Sequence, residues 1–352
     1  MTGAAAETRP ARRGWLPWIG ALIGLGALAW VLRRFEIDRF VAVIKDADGR
    51  FLILIALAIM GEQLVRAWKW QQLLHPLRKG IGVFRLFGAI MAGYLLAIVF
   101  PFGFGSVARS WLLARREDLR FASVLATVAI DRLTDGLIFA CLVPLALLSV
   151  AFPDPSGGVR AGLVWGGALS LALFIALALL LVLYRRDVLL PEGRLLRLAD
   201  RLPPRWGAAV RAQAASFAEG IVWPREAWRG ASIMLASILM KLFATTHFLW
   251  SGLAFGITLR PGEYLFVIVF LGFLIIIGHF LRMVGGFIVG SIFVLGLFGV
   301  GPEPALAMVL SIQTASLLSV GGVGALALWR QGVALAEVRA GVSAGAEGAR
   351  QQ

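Results

Sequence analysis

The sequence is poor in charged residues and almost without cysteine. Only 15% of its 352 residues are Asp, Glu, Lys or Arg, whereas soluble domains carry about 25%. The hydrophobic fraction is 59%, which excludes both a soluble two-domain enzyme and a disordered chain. The one cysteine, Cys141, excludes an internal disulfide and gives no metal signal. The class that remains is an all-α polytopic integral membrane protein.

Acidic residues are scarce as well. The chain has 20 Asp and Glu against 34 Lys and Arg, which gives a formal net charge of +14. In a soluble protein this excess would suggest nucleic acid as a partner. In a membrane protein Lys and Arg collect in the cytoplasmic loops, so we interpret the excess as a topology signal. We expect membrane lipids as partners and no nucleic acid, and a homo-oligomer is possible.

Long apolar runs predict the membrane segments, because a hydrocarbon core about 30 Å thick needs roughly 20 apolar residues in a helix. Residues 15–330 are predicted to form one transmembrane domain between a cytoplasmic tail, 1–14, and a disordered tail, 331–352. Two stretches, 36–50 and the basic cytoplasmic stretch 185–230, predict interfacial amphipathic helices. The apolar runs are 15–32, 51–65, 84–100, 121–152, 162–184, 231–259, 264–281, 284–300 and 305–329.

The run 84–100 decides the topology. If all nine runs span, the N-terminus lies outside. If 84–100 instead dips into the membrane and returns, the N-terminus lies inside and more Lys and Arg face the cytoplasm, as the positive-inside rule prefers. The following Pro101, Gly103 and Gly105 do not continue a regular helix. We therefore predict about eight transmembrane helices plus one re-entrant element.

Ionisable residues inside apolar runs are candidates for function, because they are unfavourable in hydrocarbon unless paired or hydrated. The strongest group is Asp131, Arg132 and Asp135. Asp131 and Asp135 share a helix face at i and i+4, and Arg132 could pair with Asp135. The trio is either a structural ion pair between helices or part of a hydrated cavity lining. Lys241 could neutralise its net charge or meet a lipid phosphate.

The stretch from Pro101 to Arg109 is a second candidate. Gly103 and Gly105 leave backbone N–H groups exposed, and Ser106 opens a predicted helix. Such a helix start attracts anions, and the fork of Arg109 one turn further on could hold a phosphate. The alternative is an interfacial helix that its arginines hold to an anionic lipid surface.

Weaker candidates have simpler explanations. Glu62 and Arg66, at i and i+4, are explained by one salt bridge at a helix end, with a function possible. His247 and His279 are more simply helix-to-helix hydrogen-bonding residues than a proton relay. A second Gly-broken stretch, 285–291, matches the break near residue 103. Paired interrupted helices indicate a transporter site, although glycines also serve helix packing.

Taken in order, the short motifs resemble the transmembrane region of lysylphosphatidylglycerol synthase, the flippase-like part of the multiple peptide resistance factor. The likeness runs from about residue 15 to 330 and has no counterpart of the soluble synthase domain. It departs from the family where Ser106 stands in place of a Glu after Gly105, and where Ser291 and Ile292 follow the late glycines. The carrying motifs are Arg66-Ala67-Trp68-Lys69-Trp70, Gly105-Ser106-Val107-Ala108-Arg109, Asp131-Arg132-Leu133-Thr134-Asp135 and Gly285-Gly286.

The resemblance implies a non-enzymatic flippase or transporter for an anionic or aminoacylated phospholipid in a bacterial cytoplasmic membrane. No cofactor is implied, and the chain lacks the Gly-x-x-x-x-Gly-Lys-Ser/Thr loop of nucleotide hydrolysis. The alternatives are a glycosyltransferase with a polyprenyl-linked donor, for which Asp46 and Asp48 could bind a metal, and an envelope-assembly scaffold. The candidate substrate-binding residues are Arg66, Gly105, Ser106, Arg109, Asp131, Arg132, Asp135 and Lys241.

Overall fold

The computed structural model describes residues 37–99, 104–151, 157–189, 204–281 and 286–330. Within these ranges the chain is helical and contains no strand. The first predicted span, 15–32, and both tails lie outside the described residues. The helices are α1 (Ile37–Lys45), α2 (Gly49–Leu74), α3 (Val83–Val99), α4 (Phe104–Glu117), α5 (Phe121–Ser149), α6 (Gly158–Leu189), α7 (Pro204–Gly220), α8 (Ala227–Ala254), α9 (Pro261–Leu281), α10 (Gly286–Gly296) and α11 (Pro302–Arg330).

Five described helices are long and apolar enough to cross a bilayer, namely α2, α5, α6, α8 and α11. Parts of α3, α9 and α10 form shorter apolar helices. The protein is therefore a multi-pass helical membrane protein, as the composition predicts. From the run 284–300 the structure describes α10, which has 11 residues and rises about 16 Å; the separate span expected there stays a prediction.

Two further pairs of helices complete the bundle, and both helices of the first pair are short. In the first pair, Arg85 near the start of α3 lies 3.3 Å from Glu117 at the end of α4, so the two helices are antiparallel. Their backbones touch at Gly93 and Gly105, where an added Cβ on Gly93 would lie 2.7 Å from the Gly105 carbonyl oxygen. This hairpin fits the re-entrant element predicted at 84–100. The second pair is α9 and α10, and α11 packs against both α3 and α10.

The centre of the bundle is the long contact between α2 and α8, with α5 packed against both. Gly61 of α2 makes room for the ring of Phe243 on α8. By contrast, α6 packs mainly on α5 and α7, and its large apolar side chains, such as Trp165 and Leu169, are exposed. Lipid is the natural environment of that exposed face. At the junction of α2, α5 and α8, by contrast, polar side chains are surrounded by other helices and not by lipid.

Local sequence explains several helix starts. Asp48 caps α2, since its carboxylate accepts a hydrogen bond from the Arg50 backbone N–H at 2.9 Å. At the start of α9, Glu263 accepts from the Arg260 backbone N–H at 2.7 Å. Near the start of α8, Trp223 and Trp228 are exposed, as expected for a stretch at the membrane interface.

Candidate functional site

Six ionisable side chains from three helices meet in the interior of the bundle. Five of them are buried and the sixth, Glu62, is half-buried. They come from α2, from α4 of the first short-helix pair and from α5. We call this group the charge cluster, and its members are Glu62, Arg66, Lys69, Arg109, Asp131 and Asp135.

Lys69 occupies the centre of the charge cluster and is fully buried. Its Nζ lies 3.0 Å from Asp131 Oδ1 and 2.5 Å from Asp135 Oδ1. It also donates a hydrogen bond to the backbone carbonyl of Asp131 at 3.0 Å. Two of its three donors therefore form hydrogen bonds to α5, and its contact with Asp131 Oδ1 is an ion pair. Lys69 thereby ties α2 to α5.

Two guanidinium groups complete the charge cluster. Arg66 donates to Asp135 Oδ2 at 3.0 Å, and Arg109 donates to Asp131 Oδ2 at 2.9 Å. The Arg109 guanidinium also lies over the Trp70 ring, 4.9 Å from its centroid. Each aspartate therefore has at least two cationic partners, and the α3–α4 hairpin is fastened to α5 through Arg109.

Contacts with α8 close the edge of the charge cluster. Ser237 of α8 donates to Asp135 Oδ1 at 3.1 Å. Glu62 lies 3.5 Å from Arg66 Nη2 and 3.6 Å from His247 Nε2. These contacts bring α8 into the site and make it a junction of four helices.

The charge cluster is balanced: three carboxylates meet three basic side chains. This balance matters because an unpaired charge is strongly unfavourable in a medium without water. Removing one partner of a buried pair typically destabilises a protein by about 3–5 kcal/mol. The stability of the folded structure therefore depends on this balance of charges. It also leaves donors to spare, since Arg66 Nε and the Nε and Nη1 of Arg109 are buried without a hydrogen-bond partner among the described residues.

Two further cations flank the charge cluster. Arg132 is exposed, and Lys241 is half-buried with its Nζ 5.6 Å from the centroid of the Phe139 ring. Neither forms an ion pair with a carboxylate of the described residues. The expected pairing of Arg132 with Asp135 is wrong, because Asp135 points towards α2 and α8 while Arg132 points outward. Lys69, rather than Lys241, supplies the central neutralising charge.

The structure brings most of the predicted residues together and gives Gly105 a different explanation. Gly105 is buried against α3, where an added Cβ would lie 2.7 Å from Ala97 Cβ. Ser106 is half-buried, and its carbonyl accepts the hydroxyl of Ser110 at 2.9 Å. Residues 101–103, the rest of the predicted anion site, lie outside the described residues. Arg109 points into the charge cluster.

Sequence reasoning missed Lys69 and Ser237. Lys69 lies three residues after Arg66 and so shares its helix face, which is a signal that the sequence does contain. Ser237 carries no distinguishing signal in an apolar run. The side chain of His279 lies outside the described residues.

Of the acidic pair considered for a metal, Asp48 caps α2. In the part of the chain that the structure describes, no group of three or more His, Cys, Asp and Glu side chains is arranged to hold a metal ion. The charge cluster itself offers charged groups and hydrogen-bond donors.

These features define a polytopic membrane protein with a charge-balanced polar site inside its helical bundle. The family model described as the lysylphosphatidylglycerol synthase TM region matches residues 18–324. The chain belongs to this family, which confirms the resemblance seen in the short motifs.

One curated relative and the solved structures complete the comparison. The glycosyltransferase AglD of Haloferax volcanii is 26% identical over 134 residues, which are 38% of this chain and 21% of that protein. The chain thus spans about a fifth of the length of this relative. No solved structure matches the chain.

Proposed function

We propose that the protein is a lipid flippase or transporter that moves an anionic or aminoacylated phospholipid between the leaflets of a bacterial cytoplasmic membrane. The polar headgroup passes along the edge of the charge cluster while the acyl chains stay in lipid. One observation carries the proposal: Arg132 and Lys241 add two positive charges beside a core that is already neutral.

The physical reason is the cost of dehydrating a headgroup. A phosphate that enters hydrocarbon loses its hydration, and the penalty is several kcal/mol or more. A fixed cation along the path replaces part of that hydration. Because each cation of the charge cluster is already paired with one of its carboxylates, Arg132 and Lys241 are the cations that an incoming anion would meet.

The direction of entry follows from the contacts of α5. Asp135 contacts Ser237 of α8, and Gly136 lies against the ring of Phe174 on α6. At about 100° per residue, Arg132 points between these two directions. A headgroup that approaches from the side would therefore reach Arg132 between α6 and α8, the same side of α5 on which Lys241 lies over Phe139.

The proposal divides the site into two parts. The buried core, with Lys69 and Asp131 at its centre, holds the helices together and fixes the electrostatic field. The edge, with Arg132 and Lys241, binds the phosphate. An aminoacylated headgroup also carries an ammonium, for which the partly exposed carboxylate of Glu62 is a suitable partner.

The test is a reconstituted transport assay. The purified protein is placed in liposomes with a fluorescent phosphatidylglycerol, its aminoacylated form or a phosphatidylcholine, and dithionite then reduces the label in the outer leaflet. The proposal predicts that the protein accelerates loss of the protected fraction for the first two lipids. Rates equal to those of protein-free liposomes for every lipid would refute it.

A matched pair of variants separates transport from nonspecific membrane perturbation. Arg132→Gln is expected to slow transport of the anionic lipid. Arg116→Gln, which removes the same charge from an exposed position on α4, is expected to transport at the wild-type rate.

The similarity to AglD supports a second candidate, a membrane glycosyltransferase with a polyprenyl-linked donor. That similarity covers 21% of the relative, so the name of the relative says little about the function of this chain. Incubation of the reconstituted protein with a polyprenyl-phosphate sugar and lipid acceptors, followed by mass analysis, distinguishes the two functions. A glycosylated product would favour the enzyme.

A further inference from the structure

A polar pocket lies at one end of the bundle, apart from the charge cluster. It opens where α2 ends, α8 begins and the connection from α2 to α3 passes between them. Its volume is about 440 Å³, within the range of about 300–1,000 Å³ that small-molecule sites occupy. None of the six charge-cluster residues lines it.

Two tryptophans and two glutamines form much of the pocket wall. Trp68 comes from α2 and Trp228 from α8. Gln71 donates to the Ile81 carbonyl at 2.7 Å, which ties the α2–α3 connection to α2. Gln72, one residue further along, is buried. The wall is thus held by hydrogen bonds across three segments.

Arg229 is fixed within this wall before any ligand arrives. Its Nη1 donates to Gln72 Oε1 at 2.6 Å, and its guanidinium lies 4.3 Å from the centroid of the Trp228 ring. Its Nε has no hydrogen-bond partner among the described residues and lies 3.6 Å from a carboxylate oxygen of Glu226. The Trp228 ring holds the face of the guanidinium and Gln72 holds one edge. The remaining N–H donors of Arg229 therefore point in a fixed direction.

The charge of the pocket is positive. Arg229 and Arg78 line it, and none of its lining residues is acidic. The nearby Glu226 is exposed at the margin. Two arginines without a lining carboxylate are suited to a phosphate, to which guanidinium groups donate paired, charge-assisted hydrogen bonds.

We infer that this pocket binds a phosphate carried on a hydroxylated headgroup of the glycerophosphate type. Arg78 and Arg229 donate to the phosphate oxygens. The amide of Gln71 bonds a hydroxyl group, and the indole faces contact the carbon chain of the polyol. Tryptophans at helix ends are typical of the lipid–water interface, so the ligand is the headgroup of a neighbouring lipid or a soluble glycerophosphate.

The inference does not depend on lipid transport, because binding to the pocket is an equilibrium property. Along α2, Gln72 of the pocket wall lies three residues after Lys69, about 4.5 Å further along the helix axis.

Binding is tested with the full-length protein in nanodiscs of a zwitterionic lipid. Calorimetric titration with sn-glycerol 3-phosphate is compared with titration by inorganic phosphate and by glycerol. A second arm adds phosphatidylglycerol to the nanodiscs and measures the lipid that stays bound by native mass spectrometry. Saturable binding of glycerol 3-phosphate, or selective retention of phosphatidylglycerol, supports the site and identifies the soluble or the lipid source.

Matched variants locate the binding. Arg78→Gln and Arg229→Gln are each expected to weaken binding by at least about tenfold, the usual effect of losing a charge-assisted hydrogen bond. Lys79→Gln and Arg225→Gln remove the same charge from exposed neighbours outside the lining and are expected to bind as the wild type does.

Three results would overturn the inference. They are the absence of saturable binding in both arms, an equal loss of affinity in the lining and neighbouring variants, and inorganic phosphate binding as tightly as glycerol 3-phosphate. If the protein binds glycerol 3-phosphate or phosphatidylglycerol in this test but does not transport lipid in the liposome assay, the inference about the pocket stands and the transport proposal fails.

Discussion

Replacing Lys69 by methionine removes the centre of the charge cluster while keeping the length of the side chain. The variant loses the ion pairs to Asp131 and Asp135 at 3.0 Å and 2.5 Å. It also loses the hydrogen bond to the Asp131 carbonyl. The carboxylates keep their arginine partners, but the balanced core acquires a net charge of about −1 at full burial.

The expected magnitude follows from that unbalanced charge. Breaking a buried ion pair by removing one partner costs about 3–5 kcal/mol, and Lys69→Met should lower the free energy of unfolding by a value in this range. Equilibrium unfolding in mixed micelles, with an increasing fraction of dodecyl sulfate and tryptophan fluorescence as the signal, measures the change. Lys45→Met, an exposed lysine on α1, should change the free energy by no more than about 0.5 kcal/mol.

A double-mutant cycle makes the reasoning refutable. Lys69→Met combined with Asp135→Asn removes one charge of each sign and restores neutrality. The double variant should therefore be more stable than the sum of the two single effects predicts, by about 1–3 kcal/mol. A Lys69→Met protein as stable as the wild type, or strictly additive effects, would refute the claim that the core is an interdependent ionic unit.

Substitutions in other parts of the site are expected to have smaller effects in the same unfolding assay. Ser237→Ala removes one hydrogen bond to Asp135 and should destabilise by about 1 kcal/mol; an unchanged midpoint would mean that this bond does not form. Gly105→Val inserts a side chain where α3 and α4 touch and should destabilise by at least about 1–3 kcal/mol, whereas tolerance would show that the helices are farther apart. Arg132→Gln should leave stability within about 0.5 kcal/mol of the wild type, because this side chain is exposed; a large loss would assign it to the structural core.

The sequence predicts the helices well where an apolar run is long and uninterrupted. The runs at 121–152 and 305–329 correspond to α5 and α11, because a helix is the simplest way for such a run to satisfy its backbone in lipid. The run 284–300 has the hydropathy of a span, but hydropathy does not measure where a helix begins. The described part of this run is the 11-residue helix α10.

The site is predicted in part. Asp131, Asp135 and Arg109 stand out because each is an ionisable residue within or beside an apolar run. Lys69 does not, because it lies beyond the end of the apolar run 51–65, whereas α2 continues to Leu74.

Partners across the bundle are beyond the reach of spacing rules. Arg66 and Asp135 are 69 residues apart in the chain, and spacing rules apply only within one helix. For the same reason the sequence suggests the local partner Arg132, while the structure turns that side chain outward.

The central claim is that Arg132 and Lys241 bind the headgroup of an anionic lipid during transport. It is tested most directly by the ratio of transport rates for fluorescent phosphatidylglycerol and phosphatidylcholine, measured for the wild type and for the Arg132→Gln, Lys241→Gln double variant in matched liposomes. The account predicts that the wild type prefers the anionic lipid and that the folded double variant loses most of this preference. An unchanged ratio in the double variant would contradict it.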